Sequence, residues 1–98
     1  MARTLTVSRV RVRAGQEREY LAAVRELAAL HADRGRRLWL FRRAGRPHEF
    51  LECSESPDEA GHRAVAVPPE DERRIEARIR AVAEYDDGAW DLWEEVRS

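Results

Sequence analysis

The sequence predicts an α+β domain: a small antiparallel sheet with helices packed on one of its faces. Three observations carry that expectation. An extended run, Thr4 to Arg13, leads through Ala14-Gly15-Gln16 into an amphipathic helix. Two more extended runs come next, hinged at Arg43-Ala44-Gly45-Arg46-Pro47. A second helical region then completes a β-α-β-β-α order. Helices on one side of such a sheet leave the other side in need of cover.

In the first strand Leu5 and Val7 share one face with Arg9, Arg11 and Arg13, while Val10 and Val12 share the other with Thr6 and Ser8. Both faces are apolar over half their length, so the strand is expected to be partly covered on both sides. The first helix is read over Gln16 to Arg34. Tyr20, Val24, Leu27 and His31 form its core stripe, with Glu17 and Glu19 at the positive end of the helix dipole and Gly35 as a stop. Leu38-Trp39-Leu40-Phe41 is apolar on both faces, as an interior strand would be. Glu49 to Glu55 reads as its hairpin partner, with Phe50 on one face and Leu51 and Cys53 on the other.

Ser56-Pro57-Asp58-Glu59 has the form of a capped helix start, and Pro68-Pro69 cuts that helix short. Glu70-Asp71-Glu72 opens a further helical segment with Ile75, Ile79, Val82 and Ala83 on one face. Trp90, Trp93 and Val96 fit a short terminal helix, whereas Trp90 and Leu92 alone would fit a strand; the helix is the reading adopted.

Bulk properties narrow the function classes. A chain of 98 residues holds one core, taken as a single domain over 1–98. All 18 basic residues are arginine, yet 19 acidic residues bring the net charge to −1, which excludes a generally basic nucleic-acid binder. Cys53 is the only cysteine, so no internal disulfide forms and a reducing cytoplasm is expected. Met1-Ala2-Arg3-Thr4 lacks the apolar core of a secretion signal, and no run approaches the roughly 18 apolar residues of a membrane span.

Candidate chemistry rests on few side chains. His62, just after the Ser56 start, is a candidate general base; His31 suits a structural role at a helix end, and His48 flanks a turn. The histidines lack a paired spacing, so no metal is expected. Trp39 and Phe41 share one strand face and can wall a planar ligand or bury themselves in a dimer interface. Sheet aromatics beside Arg9, Arg11, Arg36, Arg37, Arg42, Arg43 and Arg46 raise an RNA-binding alternative. Against it, His48 to Cys53 offers one aromatic among glutamates, and Glu49, Glu52 and Glu55 are expected to pair with arginines across the hairpin. Cys53 reads as a small core residue.

Val10-Arg11-Val12-Arg13-Ala14-Gly15-Gln16-Glu17-Arg18-Glu19-Tyr20-Leu21 resembles the strand-to-helix opening x-x-G-x-E-x-x-(F/Y) of antibiotic-biosynthesis-monooxygenase-like domains, in the dimeric α+β barrel superfamily. Phe50 to Ala60, continuing to His62-Arg63, resembles that family's passage from third strand to helix. The resemblance spans about residues 4–64 and implies a ferredoxin-like protomer whose sheet packs on a second copy to make a homodimer. It also implies pockets for a small apolar or aromatic ligand. Haem breakdown in this superfamily uses an Asn–Trp–His set, and the nearest positions here hold Ser8, Ser54 or Glu55, and His62, so two of the three are unfilled.

The activity implied by the remaining family pattern is cofactor-independent oxygenation of an aromatic or polyketide-type substrate. Such chemistry needs a base, an oxyanion partner and apolar walls. His62 and Arg9 are assigned to the first two roles, with Trp39, Phe41 and Ser8 contacting substrate and no cofactor required. The alternative is a non-catalytic ligand-binding or dimeric assembly domain.

Overall fold

The computed structural model describes residues 3–56 and 68–96. Strand β1 (Thr4–Val12) leads into helix α1 (Glu17–Asp33), then strands β2 (Arg37–Arg42) and β3 (Glu49–Ser56), helix α2 (Glu70–Val82), and short strands β4 (Ala83–Tyr85) and β5 (Leu92–Glu94). The sheet is antiparallel in the order β2-β3-β1-β4, with β5 also paired to β1. This is the ferredoxin-like order, with both helices on one face. The capped start expected at Pro57-Asp58-Glu59, and His62 with it, lie outside the described residues.

Alternation along β1 sets the two faces. Thr4, Thr6, Ser8, Val10 and Val12 are all buried on the helix side. Leu5 and Val7 are half-buried on the other side, beside exposed Arg9 and Arg11. Pairing with β3 is uninterrupted from Thr4↔Ser56 to Arg11↔Glu49, so one regular strand serves both faces.

The core lies over the Val10–Val12 half of the sheet. Tyr20, Ala23, Val24 and Leu27 of α1 meet Ile75, Ile79 and Val82 of α2 above Val10, Val12, Phe50 and Ala83. Helix α1 ends as expected at Gly35, whose φ of +73° no other residue adopts as easily. Gly35 N–H donates to the Ala32 carbonyl and Arg36 N–H to the His31 carbonyl, the paired bonds of a left-handed helix stop.

Three expectations change. β2 is an edge strand, and both its faces are apolar because α1 covers Leu38 and Leu40 while Trp39 and Phe41 face outward. β4 succeeds α2 with no intervening turn and pairs only with Val10–Val12. β4 does not reach the other end of this β1 edge, at Thr4–Thr6, and a sheet edge there demands a partner from the rest of the chain. Gly88, at φ +77°, turns the chain so that Leu92–Glu94 fills this edge as β5. The terminal segment is therefore a strand, not the expected helix, and the Trp90/Trp93/Val96 stripe is not buried: Val96 is 91% exposed.

Candidate functional site

On the helix side the half of the sheet beyond the aliphatic core is polar. Register places Thr6 opposite Ser54 and Ser8 opposite Glu52. Buried sheet positions normally carry aliphatic side chains, so a run of hydroxyls and a carboxyl there is the informative departure. Ser8 Oγ donates to the Ala89 carbonyl. Ser54 Oγ is buried with no hydrogen-bond partner, a condition few native polar atoms tolerate.

Glu52 is the centre of this wall and only 7% exposed. Its Oε2 accepts from Tyr20 Oη at 2.5 Å, and Tyr85 Oη lies 3.0 and 3.1 Å from its two oxygens. The expectation that Glu52 pairs with an arginine across the hairpin is overturned; its side chain shares the phase of Phe50 and points into the helix layer. Burial pushes the Glu52 carboxyl above the usual carboxylate range, reinforced by Glu76 and opposed by the two tyrosine bonds. Burial and the Glu52 charge likewise push both tyrosine hydroxyls up. Around this cluster, the Tyr20 ring lies 4.9 Å from Phe50 and the Tyr85 ring 5.1 Å from Trp90.

The opposite face is open and apolar. Trp39, Cys53 and Val7 form one cross-strand row, and Phe41, Leu51 and Arg9 the next. Phe41 is 55% exposed and Trp93 59%. An open hollow of about 460 Å³ is bordered by Arg9, Arg11, Phe41, Arg43, Glu49 and Leu51. A smaller one of about 240 Å³ lies against Leu5, Trp39, Glu55 and Trp93. Arg43 pairs with Glu49 at 3.3 Å, as expected across the hairpin. Cys53 is half-buried on this face rather than in the core, and burial raises its thiol, which leaves it a poor nucleophile.

The expected site residues therefore divide. Arg9, Trp39 and Phe41 share the open face, whereas Ser8 lies on the helix side with the sheet between them. His31 is structural as expected: its Nε2 sits 3.3 Å from Glu72, which also binds Arg36 at 2.7 Å and Arg34. His48 is exposed and pairs with Glu17. Glu52, Tyr85 and Ser54 were not anticipated. The signal for Glu52 and Ser54 is strand phase, since both fall on the Phe50 face of β3. Among the described residues no three or more His, Cys, Asp or Glu side chains group so as to hold a metal ion, and no helix is long and apolar enough to cross a membrane.

No family model matches the chain, and no curated protein sequence is similar to it. Solved structures are. SnoaB, a cofactor-independent oxygenase from Streptomyces nogalater, superposes with a TM-score of 0.76 at 16% identity, over 100% of this chain and 95% of that one. An antibiotic biosynthesis monooxygenase gives 0.74 at 18% identity, over 99% and 100%. The fold is that of the antibiotic biosynthesis monooxygenase structures. A Bacteroides thetaiotaomicron protein described as a conserved protein of unknown function gives 0.76 at 18% identity, with 96% of both chains covered. At 100% and 99% coverage of this chain, the likeness to the SnoaB structure and to the antibiotic biosynthesis monooxygenase extends over β4 and β5.

Proposed function

We propose that the protein binds a small aromatic or polyketide-type molecule against the polar wall on the helix side of its sheet and oxygenates it without a cofactor. The observation that carries this reading is the buried carboxyl of Glu52, held by two tyrosine hydroxyls beside Ser8 and the unpartnered Ser54 hydroxyl. A dry layer containing a proton-holding group is what carbanion oxygenation asks of a protein. A ring methylene or ring C–H of an electron-rich substrate loses its proton, and the resulting carbanion gives electrons to dioxygen. For a methylene, CH2 and O2 become a carbonyl and water, so the atoms balance with no external reductant.

The open face takes the second role, as the surface of a homodimer. Exposed Phe41 and Trp93, with half-buried Trp39, form its apolar centre, and Arg9 belongs to the rim of that interface as well as to the larger hollow. Work in the cytoplasm agrees with an unpaired cysteine. Dioxygen consumption with a panel of polycyclic phenols and anthrone-type methylenes tests the oxygenase reading, and uptake above the protein-free rate is expected for at least one of them. A panel that binds and is released unchanged, with no uptake, turns the reading to a ligand-binding protein. A panel that does not bind leaves only a dimeric assembly domain, which the apolar open face by itself would serve.

A further inference from the structure

The Glu52 carboxyl lies in the middle of β3 with charged and titratable groups around it on every side. Tyr20 reaches it from α1 and Tyr85 from β4; Ser8 is its neighbour on β1, and Glu76 acts on it from α2, where Arg80 acts on Tyr85. Among the described residues its carboxyl is bonded to tyrosine hydroxyls and to no arginine, although the chain has 18 basic residues, all arginine. An unpaired carboxylate in such a layer has a strong drive to take up a proton.

Hydrogen-bond bookkeeping says where that proton enters. Both tyrosine O–H groups donate to the carboxylate, which satisfies all three side chains in the ionised state. Tyr20 is fully buried, so its oxygen offers nothing to an incoming molecule, whereas Tyr85 is half-buried. Tyr85 Oη keeps a free lone pair while its hydrogen points at Glu52. Two residues along β3, about 7 Å away at strand spacing, Ser54 Oγ waits without a partner.

We propose that Tyr85 and Glu52 form a proton-accepting relay for an aromatic ligand with an acidic hydroxyl, whose O–H meets Tyr85 Oη and whose ring lies along the Ser8–Ser54 wall. The step breaks the ligand O–H bond and forms an O–H bond on Tyr85 Oη. The hydrogen that Tyr85 held passes to Glu52. The ligand becomes an oxyanion, Glu52 becomes neutral, and nothing is oxidised or reduced. The oxyanion then accepts a hydrogen bond from Tyr85. Tyr85 is the catalytic residue, because it touches the ligand; Glu52 acts through it. The relay rests on the oxygenase function proposed for this site, since it supplies the base that oxygenation needs.

The test uses 1,2-dihydroxyanthraquinone, whose visible band reports whether its hydroxyl is ionised, titrated with pH in the presence of the intact protein. The bound dye is expected to ionise at least about one pH unit below the free dye, a roughly tenfold change in the phenolate-to-phenol ratio at a fixed pH. Glu52→Gln keeps acceptor and donor atoms but takes up no proton, so it should bind the dye with the shift gone. Tyr85→Phe should lose the shift as well, and thermal unfolding confirms that each variant is folded. A merely structural role for Glu52 would change affinity or stability and leave the colour transition where it was. Three results would overturn the relay: no binding by the unaltered protein, a bound dye that titrates as in water, or a shift that survives Glu52→Gln. A shift without dioxygen uptake sinks the oxygenase reading alone, and uptake without a shift sinks the relay alone.

Discussion

Leu51 and Glu52 are adjacent in β3, yet they meet opposite surroundings. Leu51 faces outward with Phe41 beside it, on a surface open to solvent. Glu52 faces inward and is buried among tyrosines. Over this half of the sheet the usual arrangement is inverted: carboxyl and hydroxyls lie in the covered layer, tryptophan and phenylalanine on the exposed one. A sheet under selection for stability alone would place them the other way round. The inversion separates two tasks that share the same strands. On the function proposed above, chemistry belongs to the inner face and association to the outer one.

The largest expected effect is on the inner face. Glu52→Ala strips both tyrosine hydroxyls of their acceptor and leaves a cavity at the centre of the sheet. Unfolding by urea should show a loss of about 3 kcal/mol, from unsatisfied buried donors and lost packing together. A loss under about 1 kcal/mol would mean that water or a neighbouring group replaces the carboxyl, and the inner face would then be wetter than the burial of Glu52 implies.

Next comes the outer face. Sedimentation at micromolar protein is expected to give a particle of twice 11.4 kDa. Phe41→Arg places a further cation beside Arg9 and Arg43 in the larger of the two outer hollows, and should weaken association at least about tenfold. Urea unfolding of the dissociated protomer should hardly change, because Phe41 makes few contacts at 55% exposure. A lone 11.4 kDa particle for the unaltered chain would remove the outer face's assigned task.

Much of this architecture is legible in the sequence, and the parts that are not have a common cause. The 3.6-residue stripe from Tyr20 to His31 and the Gly35 stop locate α1 to within a residue at each end. The hairpin is equally plain from its Gly45/Pro47 hinge. β4 and β5, three residues each, are too short to show a period; they form because β1 has an edge to fill, a fact about the partner strand rather than their own composition. The site divides the same way. Ser8 and Trp39 can be placed on faces by counting, but glutamates facing arginines along a hairpin look like surface ion pairs. That Glu52 instead meets Tyr20, 32 positions away, and Tyr85, 33 positions away, depends on how α1 and β4 are laid over the sheet.

A smaller effect tracks pH. The folded Glu52 carboxyl titrates above its ordinary 4.5, so the stability it contributes is complete below that value and declines as pH rises through the raised one. Glu52→Gln does not titrate and should flatten this decline, gaining on the unaltered protein toward alkaline pH. His31 has the opposite sign. Burial, then Arg36, holds it below its ordinary 6.5 despite Glu72, so its contribution is present above 6.5 and fades as pH falls through the lowered value. Urea midpoints from pH 4 to 9 should therefore show a loss on lowering pH below 6.5 that His31→Gln reduces and a loss on raising pH above 4.5 that Glu52→Gln reduces. If either substitution moves the wrong limb, the assignment of that limb fails.

The smallest effect gives the sharpest comparison between the faces. Arg43 and Glu49 pair at 3.3 Å with 62% and 31% of their side chains exposed, at the edge of the larger outer hollow. Between solvated partners such a pair is worth a few tenths of a kcal/mol at most, so Glu49→Gln should leave urea unfolding of a protomer almost unchanged. Covered by a second copy, the same pair loses its water, and Arg43 left without its carboxylate then costs more than the pair was worth. Measured in the dissociated Phe41→Arg background, the substitution should be silent; measured on the dimer, it should weaken association several-fold, more strongly at low salt than at high. Equal silence in both backgrounds would put Glu49 outside the covered area and confine the interface to the Trp39, Cys53 and Val7 row.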